Sequence, residues 1–586
     1  MCGIAGIISP DPSRIQEDKL AKMARCLAHR GPDDQSTWIN PTNNAGFAHR
    51  RLCVIDTSKL ASQPMHCLSR YSIVHNGEIY NYTEVREILE KKGYLFASHS
   101  DTEVILAAYA EYGRSCVDYF DGMFAFAIWD DLQKELFCAR DRFGEKPFYY
   151  YYDETDNTFL FGSELRALYE AGVKQTDNYS MLLRFLTLGH TSDASDLSAT
   201  FDARIKKLPA AHHLRYSLNA PSPVIKRYWD LSLEVIPVPL QMAQERLSEL
   251  LSVSIRRRLR SDVPLGTSLS GGLDSSAIAY HIAKSSTVLK TFTAAFPGYR
   301  KDESAEAAAV ARQLGLDNFQ VQVTSGDFVN DFEKLLGYQE QPFSSASVYA
   351  QFKVFELASR EGVTVLLDGQ GADETIAGYE KYLNWRKRTI FPEPLSNWLI
   401  NRDRTAVHQN PFINKEFLAA YGTSAKVAKP VVKKLNDLLC FDTLYQGLED
   451  LLRYADRNSM AHGREVRLPF LSHELVSFIF SLPSKLKIGK GYTKWILRQT
   501  MDGKLPDDIV WKRRKTGFEP PQQVWMRHPR ALDYFREARR TLVDNGILNE
   551  KALAKKIEFH EAYARDTTEW RWMVAGALMQ VNKKGV

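Results

Sequence analysis

Up to about residue 216 the apolar positions come in short runs broken by turn residues, among them 71–74, followed by His75-Asn76-Gly77-Glu78, and 122–129. Such runs predict a mixed α+β domain dominated by antiparallel sheet over 1–216. Within 217–239 the prolines Pro223, Pro237 and Pro239 surround Arg227-Tyr228-Trp229-Asp230, and the stretch reads as a linker. The rhythm then changes. Strand-like runs at 266–269, 289–296, 319–323 and 364–367 alternate with helical periods at 275–284, 304–314 and 348–360. That alternation predicts an α/β domain over 240–586 built on a doubly wound parallel sheet. Past residue 379 the pattern is mostly helical, and this helical C-terminal part is expected to wrap the sheet domain.

The 586 residues, 44% hydrophobic and 25% charged, suffice for two cores. A net charge of +5 leaves no nucleic-acid footprint. Arg256, Arg257, Arg258 and Arg260 form one tight basic cluster, read as charge near a nucleotide-type loop or as plain helix-end solvation. No run approaches about 18 consecutive apolar residues and no signal segment is visible, so a cytoplasmic protein that contacts no membrane is expected. Seven scattered cysteines without a CxxC pair disfavour disulfides and zinc.

The chemistry starts at Cys2. Removal of Met1 gives Cys2 a free α-amine of pKa about 7.7 to 8.0, able to take the thiol proton and leave the attacking thiolate. Behind it stand His29-Arg30-Gly31-Pro32-Asp33, Arg50-Arg51-Leu52, Asn76-Gly77-Glu78 and Ser100-Asp101-Thr102-Glu103. Alone, Asn76-Gly77 reads as a hairpin turn and Arg51 or Asp101 as a surface charge. In this order behind Cys2 they resemble the glutaminase domain of class II amidotransferases, whose fold is the N-terminal nucleophile αββα sandwich. The resemblance implies that Cys2 is the nucleophile and that Asn76 and Gly77 form the oxyanion hole. It further implies that Arg51, Glu78 and Asp101 hold the carboxylate and ammonium of glutamine, and that Leu52, Cys53, Val54 and Ile55 line its pocket. Arg30 and Asp33 are left structural.

The second constellation is Ser268-Leu269-Ser270-Gly271-Gly272-Leu273-Asp274-Ser275, between a predicted strand and helix, where glycine backbone N–H groups and a helix start suit phosphate. It resembles the pyrophosphate loop of ATP pyrophosphatases; no GxxxxGK[ST] loop is present. Asp274 and Asp373 both follow predicted core strands, so they converge at one sheet edge and can hold Mg²⁺ that arrives with ATP. With Asp456-Arg457-Asn458, Glu465-Val466-Arg467-Leu468-Pro469-Phe470-Leu471 and Gly491-Tyr492-Thr493-Lys494, nearly the whole chain resembles glutamine-hydrolysing asparagine synthetases. That resemblance implies nucleotide contacts at Ser268, Ala294, Asp368 and Gly369 and a charge-stabilising Lys494. Gln370 stands at the acyl-transfer position where the family's best understood members carry glutamate, and Ser472 stands where an acidic residue is expected.

The expected activity is ATP-dependent amidation of a carboxylate with ammonia from glutamine, through an acyl adenylate, releasing AMP and pyrophosphate. Aspartate is the first choice of acceptor. The alternatives are the same chemistry on a nonstandard carboxylate and, more remotely, a noncatalytic ligand-sensing homologue. A homodimer is the family expectation.

Overall fold

A computed structural model describes residues 2–285, 289–388, 410–422, 432, 434–513 and 517–584. The first domain is built on two stacked six-stranded antiparallel sheets. In one, the strand Cys2–Ile8 lies between Ala45–Arg51 and Thr158–Gly162. Alternation along it decides the layers. Ile4 and Ile8 pack with Val74, Ala125 and Trp129 of the other sheet, while Ala5 and Ile7 meet Leu20 and Leu168 of the helices Glu17–Cys26 and Leu165–Glu170. The outer face of the second sheet is covered by Tyr82–Glu90 and Asp101–Tyr112, with Ile73 and Ile79 against Val85 and Val104. The result is the αββα sandwich expected from the sequence. The same period of two puts Cys2 on the face of Ile4, between the sheets.

Two local expectations change. Asn76-Gly77 is no hairpin turn: the strand Tyr71–Ile79 runs through it, with Asn76 opposite Ala125 and Gly77 opposite Phe124. Gly77 has φ +142°, and a Cβ there would lie 2.0 Å from the Met123 carbonyl oxygen, so glycine is required by close strand approach rather than by a turn. The linker assigned to 217–239 begins too early, because Ala220–Arg227 pairs with His212–Ser217 as the outermost strand of the second sheet. An edge strand tolerates proline on its unpaired side.

In the second domain five parallel strands run, in chain order, Leu265–Ser268, Lys290–Ala295, Asp317–Gln322, Val365–Leu367 and Glu465–Arg467. Their spatial order is third, second, first, fourth, fifth. The order reverses between the first and fourth strands, and the carboxyl ends flanking that switch are where an open α/β sheet binds ligands. The helices Leu273–Lys284, Ser304–Leu314 and Ser347–Arg360 fall where the pattern put them. The fifth strand lies inside the stretch read as helical; three residues are too few to display an alternation. Of that C-terminal stretch, 389–409, 423–431, 433, 514–516 and 585–586 lie outside the described residues, and the rest is otherwise mainly helical.

Apart from Arg256, which is exposed at the end of its helix, the arginine cluster does neither of the jobs read from the sequence. Arg257 pairs with Asp121 at 2.9 Å, and Arg260 reaches the Glu84 carboxylate at 2.6 and 3.0 Å, so these residues of the second domain staple the first. Beside them Leu52, Val54, Ile55, Tyr80 and Met123 of the first domain pack with Val365 and Met460 of the second in one apolar cluster.

Two candidate active sites

At the first site every element contributes by register. Cys2 pairs with Arg51 across the sheet, and its backbone nitrogen donates to Asn76 Oδ1 at 3.1 Å. Asn76 is fully buried, and its Nδ2 has no hydrogen-bond partner among the described residues. A desolvated amide donor beside a thiol can stabilise an oxyanion formed by thiolate attack on a carbonyl. Burial pushes the Cys2 thiol up, while the Leu52 backbone N–H and the Arg51 guanidinium act to lower it.

Arg51 donates to the carbonyl oxygens of Asp56 and, at 2.8 Å, Ser58, so it shapes the loop that follows it. Asp101, the first residue of its helix, accepts from Ile79 N at 2.8 Å. Burial raises Asp101 to about 6 despite that bond, with Glu465 adding to the rise. Glu78 is held well above the ordinary carboxylate range, chiefly by burial, then by Glu465 and Asp101. A ligand ammonium entering here meets carboxyl groups that gain from a positive charge.

The structure thus brings together Cys2, Arg51, Asn76, Gly77, Glu78 and Asp101. It turns Leu52, Val54 and Ile55 into the interdomain cluster, while Cys53 N is held by Asp33 Oδ2 at 2.7 Å. Arg30, read as structural, has a sharper place. Its Nε donates to the Cys2 carbonyl at 3.2 Å, and its two terminal nitrogens grip Asp456 of the second domain at 2.8 and 3.0 Å. Glu465, on the fifth parallel strand, also faces this site; burial would raise it, but Arg467 at 2.5 Å brings it down to about 2. Neither role at this site shows in the residue's own motif, because each is set by contact between domains.

The second site is a cleft of about 210 Å³ at the switch point. Ser268, Leu269, Ser270, Gly271, Gly272, Asp274, Ser275, Ala294, Asp368, Gly369, Gln370, Asp373 and Lys494 all line it, as their motifs require. Gly271 has φ +76°, and a Cβ there would lie 2.9 Å from Ala307 N and Glu303 O, so the loop closes against the next helix only with glycine. Lys494 Nζ bridges Asp274 Oδ2 at 2.5 Å and Asp373 Oδ1 at 2.7 Å. Two carboxylates converging on one cationic atom, with Asp274 Oδ1 lacking a hydrogen-bond partner, form an all-oxygen donor set that suits Mg²⁺ shared with phosphate.

Glu303, Gln351, Arg498 and Lys512 line the same cleft and were not foreseen. They come from separate elements and carry no motif of their own. Burial raises Asp368 to about 6, against hydrogen bonds from Gly369 N and Gln351. No helix among the described residues is long and apolar enough to cross a membrane.

Comparison with known proteins adds the following. Residues 246–582 match the family model described as asparagine synthase, and residues 1–229 the glutamine amidotransferase domain model. The chain is similar to asparagine synthetase [glutamine-hydrolyzing] 1 of Bacillus subtilis, 28% identical with 98% of this chain and 95% of that one covered. It is 31% identical to asparagine synthetase [glutamine-hydrolyzing] 3 of the same organism, covering 88% and 86%. A third relative, amidase chry2 of Gibberella zeae, is 26% identical over 90% of each chain.

Proposed function

Because the chain belongs to the asparagine synthase family and carries a glutamine amidotransferase domain in front, we propose that it amidates a carboxylate with nitrogen taken from glutamine, at the expense of ATP. The observation that carries this reading is the pairing of two sites in one chain: a thiol beside an unpartnered buried amide, and a phosphate-type loop facing two carboxylates.

Cys2, freed by removal of Met1, attacks the glutamine amide. Asn76 Nδ2 and the Gly77 backbone N–H hold the oxyanion, Arg51 the substrate carboxylate, and Glu78 and Asp101 its ammonium. Ammonia then crosses between the domains, past the apolar side chains of Leu52, Val54, Met123, Val365 and Met460, which keep it unprotonated and away from bulk water.

In the second site Ser268, Ser270, Gly271, Gly272 and Ser275 cradle the phosphates of ATP, with Ala294, Asp368 and Gly369 beside the nucleotide. Asp274 and Asp373 would hold Mg²⁺, which would supply charge neutralisation to the pyrophosphate. Lys494 adds positive charge where the acceptor carboxylate meets the α-phosphate. The products are the amide, AMP and pyrophosphate.

Aspartate is the first acceptor to test. A nonstandard carboxylate is the second reading, favoured by Gln370 and Ser472 at positions where family members with the named activity carry acids. Exchange of labelled pyrophosphate into ATP, run against a panel of acids, separates them. Aspartate alone supporting exchange establishes the first reading; exchange only with another acid establishes the second; exchange with none defeats the adenylate.

A further inference from the structure

Four carboxylates line the second cleft: Asp274, Glu303, Asp368 and Asp373. Three are matched to cations. Asp274 and Asp373 share Lys494, and Glu303 takes Lys512 at 2.8 Å. Asp368 alone among them has only neutral hydrogen-bond donors, Gly369 N on Oδ1 at 2.7 Å and Gln351 Nε2 on Oδ2 at 3.5 Å. Glu374, the next acid on the loop, is 2% exposed and accepts from Tyr379 OH at 2.5 Å, outside the cleft lining. Gln370, two residues beyond Asp368, presents a buried Oε1 with no partner among the described residues.

Amide formation requires a proton acceptor. As ammonia attacks, its lone pair forms the C–N bond and the C–O bond to phosphate breaks, its electrons leaving with AMP. The nitrogen, now carrying a positive charge, must lose one proton. An amide side chain such as that of Gln370 cannot take it at neutral pH, whereas a carboxylate can.

Resting on the adenylate reading above, we propose that Asp368 is the general base of the amide-forming step, accepting the ammonia proton while Gln370 Oε1 orients the nitrogen by accepting a second N–H. The proton then passes from the Asp368 carboxyl to solvent, so acyl adenylate plus ammonia give amide, AMP and H⁺. Gln351 is the positioning residue. Its Oε1 accepts from Asn458 Nδ2 at 3.0 Å, which turns its amide donor toward Asp368.

Burial is the main cause that lifts Asp368 to about 6, and no charged group figures among the causes. Lys494, Arg498 and Lys512 face the cleft with Asp274, Asp373 and Glu303. On the adjoining strand, Arg467 reaches Asp368 only through its backbone carbonyl, 2.9 Å from Asp368 N, its side chain being turned to Glu465. A base of this kind works when ionised, so the rate of amide formation rises with pH through about 6.

The test is Asp368→Asn, assayed with ammonium for amide formation and for acid-dependent pyrophosphate exchange, with glutaminase activity of the same preparation reporting the fold. Amide formation should fall roughly 10²- to 10⁴-fold and far more than exchange, and the limb near pH 6 should vanish. Asp368→Glu should restore part of both. Gln351→Leu, which removes a bond that lowers the Asp368 pKa, should keep the limb and move it upward. Parallel loss of exchange and amide formation, an increase confined to the acceptor KM, or a limb that persists in Asp368→Asn overturns the assignment. Exchange absent from the wild type with every acid instead defeats the adenylate on which it rests.

Discussion

Cys2 is one of several buried thiols, and what distinguishes it is the company its strand register gives it. Cys116 and Cys138 are buried still more deeply, yet they lie among apolar side chains. Cys2 instead has Arg51 across the sheet and Asn76 on its backbone nitrogen. The unpartnered Asn76 Nδ2 gives a direct prediction. Asn76→Ala should lower glutaminase kcat by roughly 10²- to 10³-fold while leaving synthesis from ammonium in place. Steady-state assays with the two nitrogen sources check this; equal loss from both would show that Asn76 acts on the fold rather than on the oxyanion. Cys2, Arg51, Glu78 and Asp101 were legible because each sits in a short motif. Arg30 was read as structural because nothing local shows that it reaches both Cys2 and Asp456.

Local dipeptide chemistry misleads where a tertiary contact overrides it. Asn-Gly favours tight turns because glycine readily adopts positive φ. Here the same freedom serves a strand at φ +142°, pressed against the Met123 carbonyl. Gly77→Ala should therefore cost roughly 3 kcal/mol through backbone strain and overpacking and abolish glutaminase turnover. Thermal melts beside glutaminase assays check it, and an unchanged melting temperature would contradict the close approach. The parallel sheet was easier to foresee: its first four strands are separated by helical periods, and their ends announce the ATP loop and the Asp368 loop. The fifth strand escaped because Glu465-Val466-Arg467 is too short to show a period, its two charges buried as an ion pair.

At the scale of the whole molecule the two domains meet through an apolar cluster and through ion pairs. Arg30, Glu164, Glu340, Asp456 and Arg457 join them in one buried network, with Arg30–Asp456 at 2.8 Å and Arg457–Glu164 and Arg457–Glu340 both at 2.7 Å. Such contacts between residues hundreds of positions apart leave no pattern along the chain, and the arginine cluster was misread for that reason. The helix Leu448–Met460 carries Asp456, which holds Arg30 at the Cys2 carbonyl, and Asn458, which holds Gln351 beside Asp368. One rigid element thus supports both sites, in keeping with a chain that passes nitrogen from one to the other.

That transfer is tested most directly by supplying amide-¹⁵N glutamine, ATP and the acid that supports pyrophosphate exchange, with unlabelled ammonium in solution, and weighing the amide product by mass spectrometry. The account predicts ¹⁵N in the product, one AMP and one pyrophosphate per amide formed, and loss of the label but not of the product in Cys2→Ala. A wild-type product carrying only the unlabelled nitrogen, or ADP and phosphate in place of AMP and pyrophosphate, would contradict it.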